Sequence, residues 1–192
     1  MLPIGPLMKE HRLIERMIAL LAHHLEHIKR TGDADVGFID HALDFIRTYA
    51  DRCHHGKEED ILFRALGSKT LSPEHEDTLA GLIHDHNTAR KTVAALVEAR
   101  NRYGNGDPDA LDDIARRIES LVTLYPAHIE TEDKHFFIPV MDYFSDDEKN
   151  AMVQQGNAFD QTLIHQKYRD LVQALETPPN PRTAGPDQSS TL

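Results

Sequence analysis

The sequence predicts an all-α fold: an up-down-up-down four-helix bundle with an additional C-terminal helix and a disordered tail. Three observations carry this. Apolar residues recur at a spacing near 3.6, as at Ile14, Ile18, Leu21 and Leu25, so each segment has one apolar face. Helix starts and stops are marked by capping residues, and the loops between the first four helices are short, which favours antiparallel neighbours. No stretch shows the alternation of a half-buried strand.

The first helix runs from Leu7 to about Lys29 and stops before Gly32. The second spans about Val36 to Leu66, with Gly67 as its stop. Ser72-Pro73 supplies a cap and a first-turn proline for the third, which ends near Tyr103-Gly104. Asp107-Pro108 repeats that device for a fourth helix reaching about Tyr143, with Pro126 inside it as an expected kink. Ser145 to Glu148 reads as a capping box opening a fifth helix to about Glu176. That helix carries Phe159, Leu163, Tyr168, Leu171 and Leu175, and is expected to pack across the bundle or to join a second copy in a homodimer. Residues 1–176 then form one domain. Residues 177–192, rich in Pro, Ser and Gly, bury too little apolar surface to order and form the tail.

Composition excludes several functions. A formal charge of −11 argues against sequence-independent nucleic-acid binding and against an anionic membrane surface. One cysteine, Cys53, cannot form an internal disulfide. The N-terminus lacks the basic and apolar regions of a signal peptide, and no apolar run is long enough to span a bilayer. A soluble, cytoplasmic protein is expected. The one oddity is 13 histidines.

Four of these histidines form a doubled pattern. His11 and His86 are 75 residues apart, and His54 and His128 are 74 apart. His54 and His128 are each followed four residues later by a glutamate, Glu58 and Glu132. At about 100° per residue, all four histidines fall on the apolar stripes of their own helices, and each glutamate lies one turn along. Two inward glutamates with nothing to neutralise them would cost several kcal/mol per charge, a cost that a pair of cations removes. Imidazole and carboxylate donors suit iron, manganese or zinc. Six ligands on four helices are too many for one tetrahedral ion and suit two ions sharing carboxylates. His23, His24, His27 and His84 fall on faces expected to be solvated. His55 and Glu59, one residue out of phase, offer a second register ranked below the first. His135 reads as an outer neighbour, an extra ligand or a gate to the site, and His165 has no assigned register.

Glu10-His11-Arg12, His54-His55-x-Lys57-Glu58-Glu59-Asp60, Asp85-His86-x-x-x-Arg90 and His128-Ile129-x-x-Glu132-Asp133 together resemble the hemerythrin-like (HHE cation-binding) family over roughly residues 7–144. The resemblance implies a four-helix bundle around a non-haem pair of irons, bridged by an oxo or hydroxo group and by carboxylates. Carried over residue by residue, it implies His11, His54, Glu58, His86, His128 and Glu132 as metal ligands, with Glu58 and Glu132 bridging. Zinc and manganese are the alternative metals. Oxygen-carrying hemerythrins have a His-x-x-x-His pair in the third helix, whereas here Leu82 and Arg90 flank His86 at those positions. His135, His165 or additional oxygen ligands such as Asp133 are left to complete the set.

Three functions follow, in order. The first is a protein that binds or senses O2, NO or peroxide at the irons. The second is a di-iron enzyme of oxidase or peroxidase type, with Tyr49, Tyr125 and His135 as candidate proton donors. The third is a metal-independent interaction bundle. The expectation is a binding or sensing protein rather than an enzyme.

Overall fold

Gly32 turns one mark of sequence punctuation into geometry. Its φ of +69° is left-handed, and from there its N–H caps the Ile28 carbonyl and ends α1 (Ile4–Thr31). The computed structural model describes residues 2–160 and 162–177, without the side chains of 162–164. The predicted tail, apart from Thr177, lies outside the described residues. α1 starts before the expected Leu7 and takes Pro6 into its first turn, where a missing N–H leaves no helical bond unmade.

α2 covers residues 36–66 and is capped by the Asp35 carboxylate, which accepts from the Phe38 N–H at 3.0 Å. It is α-helical at its ends and at Gly56 and Lys57. Ile46–His55 and Glu58–Phe63 are wound as wider π-helix. α3 (Pro73–Gly104) opens as expected, with the Ser72 hydroxyl accepting from His75 N–H and Pro73 in the first turn. α4 covers residues 110–140. Asp107 does not cap it: its carboxylate accepts from the Asp109 N–H in a turn, and the helix begins at Ala110. α4 runs on through Pro126 and widens to π-helix over Glu132–Phe136.

The fifth helix is two. α5 (Asp146–Phe159) has the predicted capping box between Ser145 and Glu148, but Asp160 turns to an extended ψ of 115° and the chain restarts as α6 (Thr162–Glu176). The break lies where the Asp160 carboxylate is engaged by Lys57 of α2 and faces His165 of α6. The contact holds a stretch, Gly156 to Thr162, that includes the weak helix formers Gly156, Asn157, Asp160 and Thr162.

α1 packs against α2 and α4, and α3 against α2 and α4, which closes the four-helix ring. α6 lies on α1 and α2, with Tyr168 and Val172 fully buried there, while α5 covers the second π-helical stretch of α2. The apolar interior is split into two layers. One contains Met17, Leu21, Phe45, Leu96 and Ile118. The other contains Leu66, Leu82, Phe136, Phe137 and Val140. Each such side chain contributes about 1.5–3 kcal/mol over leaving it exposed, enough in sum to offset a polar layer between them. That layer is where the four patterned histidines lie. Among the described residues there is no strand, and no helix is long and apolar enough to cross a membrane.

Candidate metal centre

All six predicted residues meet. His11 from α1, His54 and Glu58 from α2, His86 from α3, and His128 and Glu132 from α4 are each 3% exposed or less. They form two adjoining groups: His11, His54, Glu58 and Glu132 on one side, and His55, Glu58, His86 and His128 on the other. Within each group one donor atom per residue lies within 4.8 Å of every other.

The carboxylates span the two groups. Glu58 Oε1 faces His54 Nε2 at 3.1 Å and His11 Nε2 at 3.8 Å, while its Oε2 faces His86 Nε2 at 3.4 Å. Glu132 Oε2 faces His11 Nε2 at 3.2 Å, and its Oε1 faces His128 Nε2 at 3.2 Å. Both glutamates open a π-helical stretch, so the wider winding recurs at the equivalent place in each half of the doubled pattern.

The outer nitrogens decide which tautomer each ring adopts. His11 Nδ1 donates to Asp133 at 2.8 Å, His54 to Glu10 at 2.9 Å, His86 to Glu59 at 2.7 Å and His128 to Asp85 at 3.3 Å. An ionised carboxylate only accepts, so each Nδ1 carries the proton and each Nε2 of a neutral ring is a lone pair turned inward. His55 Nδ1 lies 3.4 Å from Asp51 Oδ1 without making a hydrogen bond.

These lone pairs call for a proton or a metal ion. His86 Nε2 and His128 Nε2 are 3.1 Å apart, and two lone pairs at that distance repel unless a proton or a metal lies between them. Both oxygens of Glu58, both of Glu132 and Nε2 of His11 are buried with no hydrogen-bond partner. Two donors held about 2.1 Å from one ion at bond angles near 90–110° lie about 3.0–3.4 Å apart, the spacing found here. The donor set therefore fits metal ions.

The protonation equilibria of these groups respond to the same field. Burial alone would discharge His11, yet Asp133, Glu132 and Glu58 outweigh it and hold its pKa up at about 11. His128 is likewise held up at about 9 against burial by Glu132 and Glu58. His86 is pushed down to about 4 by burial and by the neighbouring His55 and His128. Burial opposes ionisation of Glu58, but His54 and His11 keep its carboxyl well below the usual range.

Several expectations change. His55, ranked second from helical phase, is 2% exposed and belongs to the second group, stacked on His86 with ring centroids 3.8 Å apart. The two registers are not alternatives. In π-helix each residue turns the chain through less than the α-helical angle of about 100°, so neighbours diverge less and His54 and His55 both point inward. Glu59 serves the outer nitrogen of His86, and Asp133 that of His11. His135 is exposed, and His165 belongs to neither group, facing Tyr49, Asp160 and, at 3.7 Å, Glu10. His24, expected on a solvated face, is 8% exposed because Phe38 of α2 packs on it at 4.6 Å.

Fold and site together define a class: a helical bundle whose polar midlayer is a histidine–carboxylate cage able to hold metal. The chain belongs to the hemerythrin family, since the family model for the hemerythrin HHE cation binding domain matches residues 2–138. That match spans well over half of the sequence and includes every residue of both groups. No curated protein and no solved structure matches the chain.

Proposed function

We propose that this protein holds two iron ions between its four bundle helices and binds or senses a small ligand there, O2, NO or peroxide. The observation carrying this reading is the cage of five buried imidazoles around two carboxylates whose oxygens have no hydrogen-bond partner in the protein. His11 and His54 would serve one ion and His55, His86 and His128 the other, with Glu58 and Glu132 shared. Iron bound there supplies a ferrous–ferric couple and a Lewis-acidic position for a diatomic or peroxide ligand. Nitrogen and carboxylate donors without thiolate suit iron, with manganese and zinc the competitors. The His11–His54 side has one fewer imidazole, which favours it for the exogenous ligand.

The chain's own residues do three things. Asp133, Glu10, Glu59 and Asp85 fix the orientation and tautomer of four imidazoles. The apolar layers exclude water, with Phe137 stacked on His11 at 5.7 Å. The shared carboxylates couple the two positions. The reading is of a binding protein without nucleic-acid or membrane partners, in a cytoplasmic setting, on its charge of −11 and its single, buried cysteine. A homodimer through the fifth helix is not part of it, because Tyr168 and Val172 are buried within their own chain.

The test is metal analysis of protein expressed with iron, followed by visible spectra of the reduced form before and after O2, NO and peroxide. Two irons per chain and a reversible ligand band are expected. One zinc per chain, or no metal, sinks the proposal. Rapid irreversible oxidation with peroxide consumption transfers it to the enzyme class.

A further inference from the structure

We propose that the cleft between α2 and α3 is a binding site for a small organic carboxylate whose apolar body carries a second oxygen. The cleft has a volume of about 640 Å³. That lies within the roughly 300–1,000 Å³ of small-molecule pockets. Ala89, Val93, Ala94 and Val97 of α3 form one apolar wall and Ile46 of α2 contributes to the other. Tyr125 and His55 line it from within the bundle.

Two features point to a ligand. First, the Tyr125 hydroxyl and His55 Nδ1 have no hydrogen-bond partner, although their side chains are 1% and 2% exposed. Buried polar atoms of this kind are normally satisfied, so two on one cleft call for an acceptor. Second, Arg47 and Arg52 line the cleft, are exposed, and form no ion pair among the described residues. The acids there are mostly engaged: Asp44 by Lys167 at 3.0 Å and Asp51 by Arg90 at 2.7 Å, which leaves Glu98. Two free guanidinium groups in a chain of charge −11 attract an anion locally. The carboxylate goes to the arginines, the apolar body to the alanine–valine wall and the second oxygen to Tyr125. This site stands apart from the metal cage, sharing only the outer side of His55.

Titrating 4-hydroxybenzoate and benzoate into the metal-loaded full chain, by calorimetry and amide shift changes, tests the proposal. One-to-one saturable binding is expected, with 4-hydroxybenzoate tighter by roughly 2- to 10-fold, the worth of one hydrogen bond. Tyr125→Phe should abolish that preference. Arg47→Gln with Arg52→Gln should weaken both probes at least about tenfold. Ala94→Phe places a ring in the cleft from an exposed position, so it should fold, keep its metal and lose both probes. The proposal is overturned by absent saturable binding, by binding that survives Ala94→Phe, or by binding that vanishes on chelation, which would place the probe on the metal. Probe binding that persists after chelation supports it. Failure here in protein that still carries two ions leaves the metal reading standing, and loss of the metal reading leaves this one testable.

Discussion

Replacing His55 by leucine separates the two halves of the metal cage. Leucine keeps apolar volume against His86 and Tyr125, so the loss is chiefly one of the three imidazoles in the second group. The first group, His11, His54, Glu58 and Glu132, keeps every donor. A four-ligand structural zinc site is worth about 10–16 kcal/mol, or roughly 2.5–4 kcal/mol per ligand. At 1.4 kcal/mol per decade, one ion should then bind roughly 10²- to 10³-fold more weakly. Elemental analysis after dialysis against graded chelator should find two ions in the native chain and about one in His55→Leu at the same chelator concentration. His135→Leu and His84→Leu, both at exposed positions, should retain both ions. If His55→Leu keeps two ions with unchanged resistance to chelator, His55 is a bystander and the π-helical argument for its inward direction is wrong.

Three further outcomes follow from the geometry. Asp133→Asn removes the carboxylate that orients His11, and should weaken metal binding by about 10–100-fold while leaving helical circular dichroism unchanged. Ser145→Ala deletes the cap of α5 and should lower the unfolding free energy in urea by about 1 kcal/mol without altering metal content. Burial, chiefly, lowers the His24 pKa from its ordinary 6.5, so the unfolded chain binds the proton more readily. Its contribution to stability is complete above about pH 6.5 and is lost as pH falls from there toward the folded pKa. Subtracting the urea stability of His24→Leu from that of the native chain, across pH 5 to 8, should therefore show a fall on the acid side; a flat difference refutes the burial argument.

The bundle was legible because its signals are local. The period of Ile14, Ile18, Leu21 and Leu25, the Ser72-Pro73 start and the Ser145–Glu148 box each act within a turn or two, and each appears in the structure. The six ligand candidates were legible for a related reason: His54 and Glu58, or His128 and Glu132, are a helical turn apart, and the spacing alone puts each pair on one face. Asp107 failed as a cap because a neighbouring turn could use the same carboxylate. The partner that engages Asp160 at the break in the fifth helix, Lys57, is far away in sequence, so that contact could not be read along the chain.

By itself, then, the sequence determined an all-helical chain, the four helices that each carry one of the patterned histidines, and the two glutamates that face inward with them. Tertiary structure alone decided that His55 joins them, that Glu10, Glu59, Asp85 and Asp133 hold the outer nitrogens, and that each glutamate spans two groups. The reason is one of reach. Helical phase is set by hydrogen bonds a few residues apart and can be read along the chain. The shift from α to π winding adds no local sequence signal, and the carboxylate partners of His11, His86 and His128 lie on other helices, so packing alone brings them within hydrogen-bonding distance.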